Sequence, residues 1–322
     1  REGTVDFGAN DIPLTEQQLR DDGLCQFPVV IGAVVPVVNL SGVFEGELKL
    51  SADDLAGIYL GSITRWNDPA IADDNPGADL PDHEIIPIHR AHSSGTTWIL
   101  TTYLREHSEV WRAAVEDGPV DKQLVGVGAE GNEQVARFVK QFRYTIGYVE
   151  YSFAAEQELS CVSLRTASGS YVAASTSAFG DAAPRGELEP SSDLRVTFSA
   201  LDAGATWPIV GASYALIRNE QKTPARAEAM LRFFRWALTD GAEHASRLDY
   251  VALPGGFVGP IEQRWSECIR SSGRRVWSST APAGSQPPAI ADAGLDASTD
   301  AAPSASPSSP TAPLPVSSTP QP

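Results

Sequence analysis

Apolar residues recur along this 322-residue chain with two alternating rhythms. Short continuous runs such as Ile85-Ile86-Pro87-Ile88 read as buried strands, whereas Trp98 to Leu104 repeats apolar positions at helical spacing. Ser51 to Leu60 is predicted to start a helix, with Ser51 as cap, Asp53 and Asp54 in the first turn and Leu55, Ile58 and Tyr59 following. Glu130 to Phe142 is predicted as another, opening from the glycine-rich stretch Gly126 to Gly131. That stretch lacks the GK[ST] ending of a phosphate loop and reads as a connecting turn. Ala225 to Leu238 is predicted helical with Met230, Phe233, Phe234 and Ala237 on its core face. The longest apolar run, Phe27 to Leu40, is too short to span a membrane and contains Pro28 and Pro36, so it reads as strands crossing between lobes. Strands and helices in alternation predict an α/β fold. From about Ser278 the pattern stops, and residues 278–322 are Pro-, Ala-, Ser- and Thr-rich without an aromatic residue. They cannot offset the entropy of ordering and are predicted disordered.

Composition narrows the function classes. The length suits two domains. A net charge of −17 argues against nucleic acid and anionic membrane surfaces as partners, because both require basic patches. The three cysteines, Cys25, Cys161 and Cys268, permit at most one internal disulfide and show no zinc-site spacing. No metal or other cofactor is expected.

One segment carries candidate chemistry: His89-Arg90-Ala91-His92-Ser93-Ser94-Gly95-Thr96-Thr97-Trp98. It follows a predicted strand and opens a predicted helix, whose first N–H groups lack intrahelical partners and sit at the positive end of the peptide dipoles. Ser94 and Thr96 add hydroxyls, Gly95 admits a close approach, and Arg90 offers a permanently charged fork. The pattern fits an oxyanion site, and ordinary helix capping is the plainer alternative. A Ser-His-Asp hydrolase, such as a phosphate-ester hydrolase, is disfavoured because His92 is only two residues from Ser94 and no GxSxG elbow is present.

A second segment, Thr4-Val5-Asp6-Phe7-Gly8-Ala9-Asn10-Asp11-Ile12-Pro13-Leu14, completes a resemblance. Together with GIYLGSITRWNDPAI (57–71), RAHSSGTT (90–97), TIGYVEYSFA (145–154), WPIVGASYALI (207–217) and FFRWAL through RLDYVALP (233–254), it resembles the PstS family, the phosphate-binding proteins of bacterial ABC importers. The resemblance spans about residues 2–277. It implies a two-lobed periplasmic-binding-protein fold of type II, an extracytoplasmic monomer that is not an enzyme, and transporter permease subunits as partners. It implies a first lobe of residues 1–30 and 208–277, a second of 31–207, and inorganic phosphate in the cleft between them. The family's binding residues fall on Asp11, Arg90, Ser94, Gly95 and Thr96. A carboxylate beside an anion acts there as a filter: phosphate near neutral pH keeps a P–OH that can donate to Asp11, whereas sulfate is fully ionised. Without the resemblance, Asp11 reads as a turn or capping residue before Ile12-Pro13.

Two departures from the family pattern stand out. An acidic residue commonly lies two positions after the arginine and orients it; this chain has His92, expected to face solvent, the alternative being that it adds partial positive charge near the anion at acidic pH. The family's opening strand, GATFP-like turn and GSSGG-like loop precede the segment with which this sequence begins. The chain is therefore expected to be a fragment, a misplaced start or a degenerate copy, with weak phosphate binding and a loosely packed first lobe. The family layout also puts Cys25 and Cys268 in one domain, so they are the pair to test, the alternative being two unrelated buried thiols.

Overall fold

The computed structural model describes residues 5–115, 123–183, 186–188, 194–198 and 205–278; the predicted disordered tail lies beyond the described residues after Ser278. The chain opens with β1 (Phe7–Asn10), α1 (Glu16–Asp22) and β2 (Leu24–Val38). A Thr15–Gln18 capping box starts α1, and Gly23 in the left-handed conformation ends it. Next come β3 (Lys49–Leu50), α2 (Ala52–Leu60) and α3 (Pro69–Asp74). Ser51 caps α2 as its sequence predicts, through a box with Asp54. β4 (Ile86–Arg90), α4 (Gly95–His107), α5 (Glu109–Ala114), β5 (Val127–Ala129), α6 (Gly131–Gln141) and β6 (Thr145–Glu150) form the middle of the molecule. They lead into α7 (Tyr151–Glu156), β7 (Ser160–Cys161), β8 (Ser163–Arg165), β9 (Tyr171–Ala173), α8 (Thr176–Gly180), β10 (Gly186–Leu188) and β11 (Val196–Phe198). The chain closes with β12 (Val210–Arg218), α9 (Pro224–Leu238), α10 (Ala242–Arg247), α11 (Val258–Cys268), β13 (Arg270–Ser271) and β14 (Arg274–Arg275).

The predicted crossing run is one continuous 15-residue strand. β2 pairs antiparallel with β12 from Leu24 to Ala33, then with β6 from Val34 to Val38. It thereby joins an antiparallel half, β1-β12-β2, to a half in which β6, β4 and β5 run parallel, giving the order β1-β12-β2-β6-β4-β5 with β7 also on β2. Pro28 is accommodated beside an irregularity in the β2–β12 ladder. There the register skips Val29, Ser213 facing Val30 and Tyr214 facing Pro28. Small sheets β3-β8-β9, β10-β11 and β13-β14 lie apart from the main one.

Aromatic contacts fasten helices to β2. Phe27 stacks edge-to-face on Phe234 of α9 and on Trp265 of α11, each at 5.1 Å between ring centres. The buried face of α9 is Ala227, Met230, Leu231, Phe234 and Leu238. This corrects the predicted face: Phe233 is 49% exposed, because the 3.6-residue period carries the buried stripe through 227, 231, 234 and 238 and leaves residue 233 at its edge. Among the described residues no helix is long and apolar enough to cross a membrane.

Cys25 in β2 and Cys268 at the end of α11 form a disulfide across 243 residues of sequence, which decides between the pair and two unrelated thiols. Cys161 is a buried free thiol whose ionisation burial pushes up, with Glu45 nearby adding to the effect. A crosslink closing so long a loop restricts the unfolded chain strongly, so Cys25→Ser with Cys268→Ser should lower unfolding free energy by about 2–5 kcal/mol. Urea midpoints that coincide for the oxidised wild type and the double variant would contradict this.

Candidate functional site

Parallel strands deliver their C-terminal ends to one edge, and in open α/β sheets ligands bind in the crevice outside such ends. β4 ends at Arg90, which pairs in register with Ala129 at the end of β5. Two turns therefore leave the sheet side by side: one enters α4 through Ser94-Gly95-Thr96, the other enters α6 through Gly131-Asn132. The end of β6 supplies Glu150 to the same edge. Ser94 is the buried N-cap of α4, its hydroxyl accepting from the Thr97 N–H at 3.4 Å. That use leaves the N–H groups of Gly95 and Thr96 as the helix's unpaired donors.

The Arg90 side chain turns back over this edge. Its Nη1 donates to Thr96 Oγ1 at 3.3 Å and, at a longer 3.5 Å, to Asn132 Oδ1. Thr96 Oγ1 donates to the same Asn132 oxygen at 3.2 Å, and Asn132 Nδ2 donates to Glu150 Oε1 at 3.1 Å. Tyr250 Oη closes the chain on Glu150 Oε2 at 2.5 Å. Beneath the loop, the buried Tyr148 hydroxyl accepts from the Arg90 backbone N–H at 3.3 Å and shares a 2.7 Å hydrogen bond with Thr97 Oγ1. One phenol thus holds both the strand end and the first helical turn. His92 is exposed on the solvent side of the loop, as its sequence position predicts.

The antiparallel half brings the remaining group. Asp11 lies just past β1, and its Oδ1 accepts from Ser213 Oγ of β12 at 2.6 Å. Its other oxygen stands over the α4 turn: a β-carbon at residue 95 would collide with Asp11 Oδ2, Cβ and Cγ. Only glycine admits this approach, and no flexible side-chain tip is available to move aside. The five residues predicted for the site, Asp11, Arg90, Ser94, Gly95 and Thr96, therefore fall in one cluster. Sequence reasoning missed Asn132, Tyr148, Glu150, Ser213 and Tyr250. Asn132 lies in the first turn of α6, just past the glycine-rich stretch read as a connecting turn; the other four lie within motifs quoted for the family but carry no chemical signature of their own.

The site's charges are unevenly solvated. Burial raises the Glu150 carboxyl, and Asp11 reinforces the shift, while the hydrogen bonds from Tyr250 and Asn132 and the charge of Arg90 oppose it. Burial also raises the phenol of Tyr250, as does its hydrogen bond to Glu150. Among the described residues no group of three or more His, Cys, Asp or Glu side chains is arranged to hold a metal. The arrangement is a set of donors around Arg90 and the α4 turn, faced by one carboxylate acceptor. Chemically, such a set suits an oxyanion that still carries a proton.

Because Glu150 takes up its proton more readily in the folded than in the unfolded chain, its contribution to stability is present below its ordinary value of 4.5 and is lost as pH rises through the folded value. Glu150→Gln should thus gain stability relative to wild type between pH 4 and pH 7. Denaturation midpoints that move the other way would contradict the buried-carboxyl account.

The PBP superfamily domain model matches residues 1–241. A phosphate-binding protein PstS of Pasteurella multocida is 41% identical over 275 residues, covering 85% of this chain and 80% of the relative. The PstS of Haemophilus influenzae is 41% identical over 262 residues, covering 81% and 78%. Among solved structures, a high affinity periplasmic phosphate-binding protein bound with phosphate superposes with a TM-score of 0.64 at 18% identity, covering 82% of this chain and 79% of that one. The phosphate binding protein from Stenotrophomonas maltophilia gives 0.59 at 18% identity, covering 82% and 80%. These likenesses show the α/β, two-lobed periplasmic-binding-protein fold with its cleft between lobes. Matched over most of its length by sequence, the chain belongs to the PBP superfamily and, within it, to the PstS family of phosphate-binding proteins.

Proposed function

We propose that this protein binds inorganic phosphate outside the cytoplasmic membrane and hands it to the permease subunits of an ABC importer. The observation that carries the reading is the Asp11 carboxylate standing over Gly95 among the donors of Arg90 and the α4 turn. An acceptor in that place is unfavourable for any fully ionised anion and favourable for one with a P–OH. The names of the sequence relatives support the same ligand. The high negative charge of the molecule is compatible with it, since surface charges beyond a Debye length of about 8 Å are screened while the site's donors act at contact.

The two lobes in this reading are residues 1–30 with 208–277, and residues 31–207. The exchange of β2 partners between Ala33 and Val34, three residues past residue 30, supports a division within this strand. Asp11 then belongs to one lobe and Arg90, Ser94, Gly95 and Thr96 to the other, so that an anion is held by both and its binding favours the closed form. A permease reads closure. The Ser94 hydroxyl is engaged as a helix cap and the exposed His92 is not its base, which favours binding over hydrolysis.

Orthophosphate and arsenate should bind in preference to sulfate at pH 7, by roughly four powers of ten where a buried acceptor requires a ligand proton. Calorimetric titrations giving comparable phosphate and sulfate affinities would refute the reading. Arg90→Ala should weaken phosphate binding about tenfold to a hundredfold through lost charge-assisted hydrogen bonds, while His92→Ala changes it little. Equal losses in the two variants would show that His92 is itself a ligand.

A further inference from the structure

Asp11 can act as a proton-reading acceptor only if its carboxylate is held in one rotation, and its contact with Ser213 does this. Ser213 Oγ lies 2.6 Å from Asp11 Oδ1, the length of a charge-assisted O–H···O hydrogen bond. A carboxylate has no hydrogen to give, so the serine donates. That occupies Oδ1 and leaves Oδ2, the oxygen that overlies Gly95, to face the α4 turn.

The backbone is shaped for this contact. Ser213 sits at the irregularity in the β12–β2 ladder, where Val29 is skipped, and such bulges re-aim a side chain. Its neighbour Tyr214 is buried, pairs with Asn10 next to Asp11, and takes a 2.9 Å hydrogen bond from the Val196 N–H through its hydroxyl. The serine is therefore presented from within β12, and the aspartate from the first residue past β1, whose last residue, Asn10, is paired to the serine's neighbour Tyr214.

We infer that Ser213 is a specificity-determining residue that positions Asp11, fixing which carboxylate oxygen meets the ligand and so setting the preference for a protonated anion. The inference rests on the phosphate reading above. It differs from the alternative in which Ser213 donates directly to the anion, because a direct donor serves phosphate and sulfate alike.

The ratio of phosphate to sulfate affinity separates these roles. In Ser213→Ala the ratio should fall about tenfold, through weaker phosphate binding with sulfate binding unchanged or slightly stronger, as expected for loss of one positioning hydrogen bond to a charged group. Ser213→Thr keeps the hydroxyl and should restore the ratio. Ser213→Cys, close in size but a weak donor, should repeat the loss if the alanine variant does not fold. Equal weakening of both anions, or a ratio within about twofold of wild type in a folded variant, would overturn the role of Ser213 while leaving the phosphate reading intact. A wild-type protein that fails to distinguish the two anions would overturn that reading, and this inference with it.

Discussion

β2 changes partners between Ala33 and Val34, and every group of the site is placed relative to that change. On one side of it, the strand is laced to β12 and through β12 to β1, which presents Ser213 and Asp11. On the other side it pairs with β6, whose last residue, Glu150, stands in register with Val34. Tyr250 arrives beside the same point, since Val251 exchanges backbone hydrogen bonds with Ile31 at 2.9 Å. A single strand shared by two half-sheets keeps their ends close, as the proposed closure about an anion requires.

The polar groups around that strand solve an electrostatic difficulty. Two carboxyl groups, Asp11 and Glu150, lie close enough that Asp11 adds electrostatically to the effect of burial in raising the Glu150 carboxyl, with the charge of Arg90 opposing it. They are used differently. Asp11 has one oxygen on Ser213 and the other over the α4 turn, whereas Glu150 is capped on both oxygens by Asn132 and Tyr250 and so is spent inside the network. In a desolvated setting a satisfied network of this kind is rigid, and removing one member leaves a buried group unpaired. The Asn132 amide links the two uses, its oxygen toward Arg90 and Thr96 and its nitrogen toward Glu150.

Much of this was legible in the sequence, and for physical reasons. Caps, helix-opening hydroxyls and an arginine ahead of a glycine announce themselves locally, so the α2 start, the α4 turn and Arg90 could be placed without coordinates. The face of α9 was misjudged at Phe233: it is as apolar as Phe234, but the helical period turns Phe234 onto Phe27 and Phe7 and leaves Phe233 at the edge of the buried stripe. Asn132, Tyr148 and Tyr250 went unnoticed because their roles exist only through partners distant in sequence. Tyr148 reaches a residue 51 positions away and Tyr250 one 100 positions away. Ser213 is similar: a lone serine in an apolar strand says nothing until the bulge aims it at Asp11 from 202 positions away.

The account stands or falls on Asp11 acting as an acceptor that only a protonated oxyanion can satisfy. The most direct measurement is a sulfate titration of Asp11→Asn beside the wild type, since an amide presents hydrogens where the carboxylate presents lone pairs. The account predicts that the asparagine variant takes up sulfate that the wild type rejects, bringing the two anions close in affinity. Sulfate rejected as strongly by Asp11→Asn as by the wild type would contradict it and place the discrimination elsewhere in the cleft.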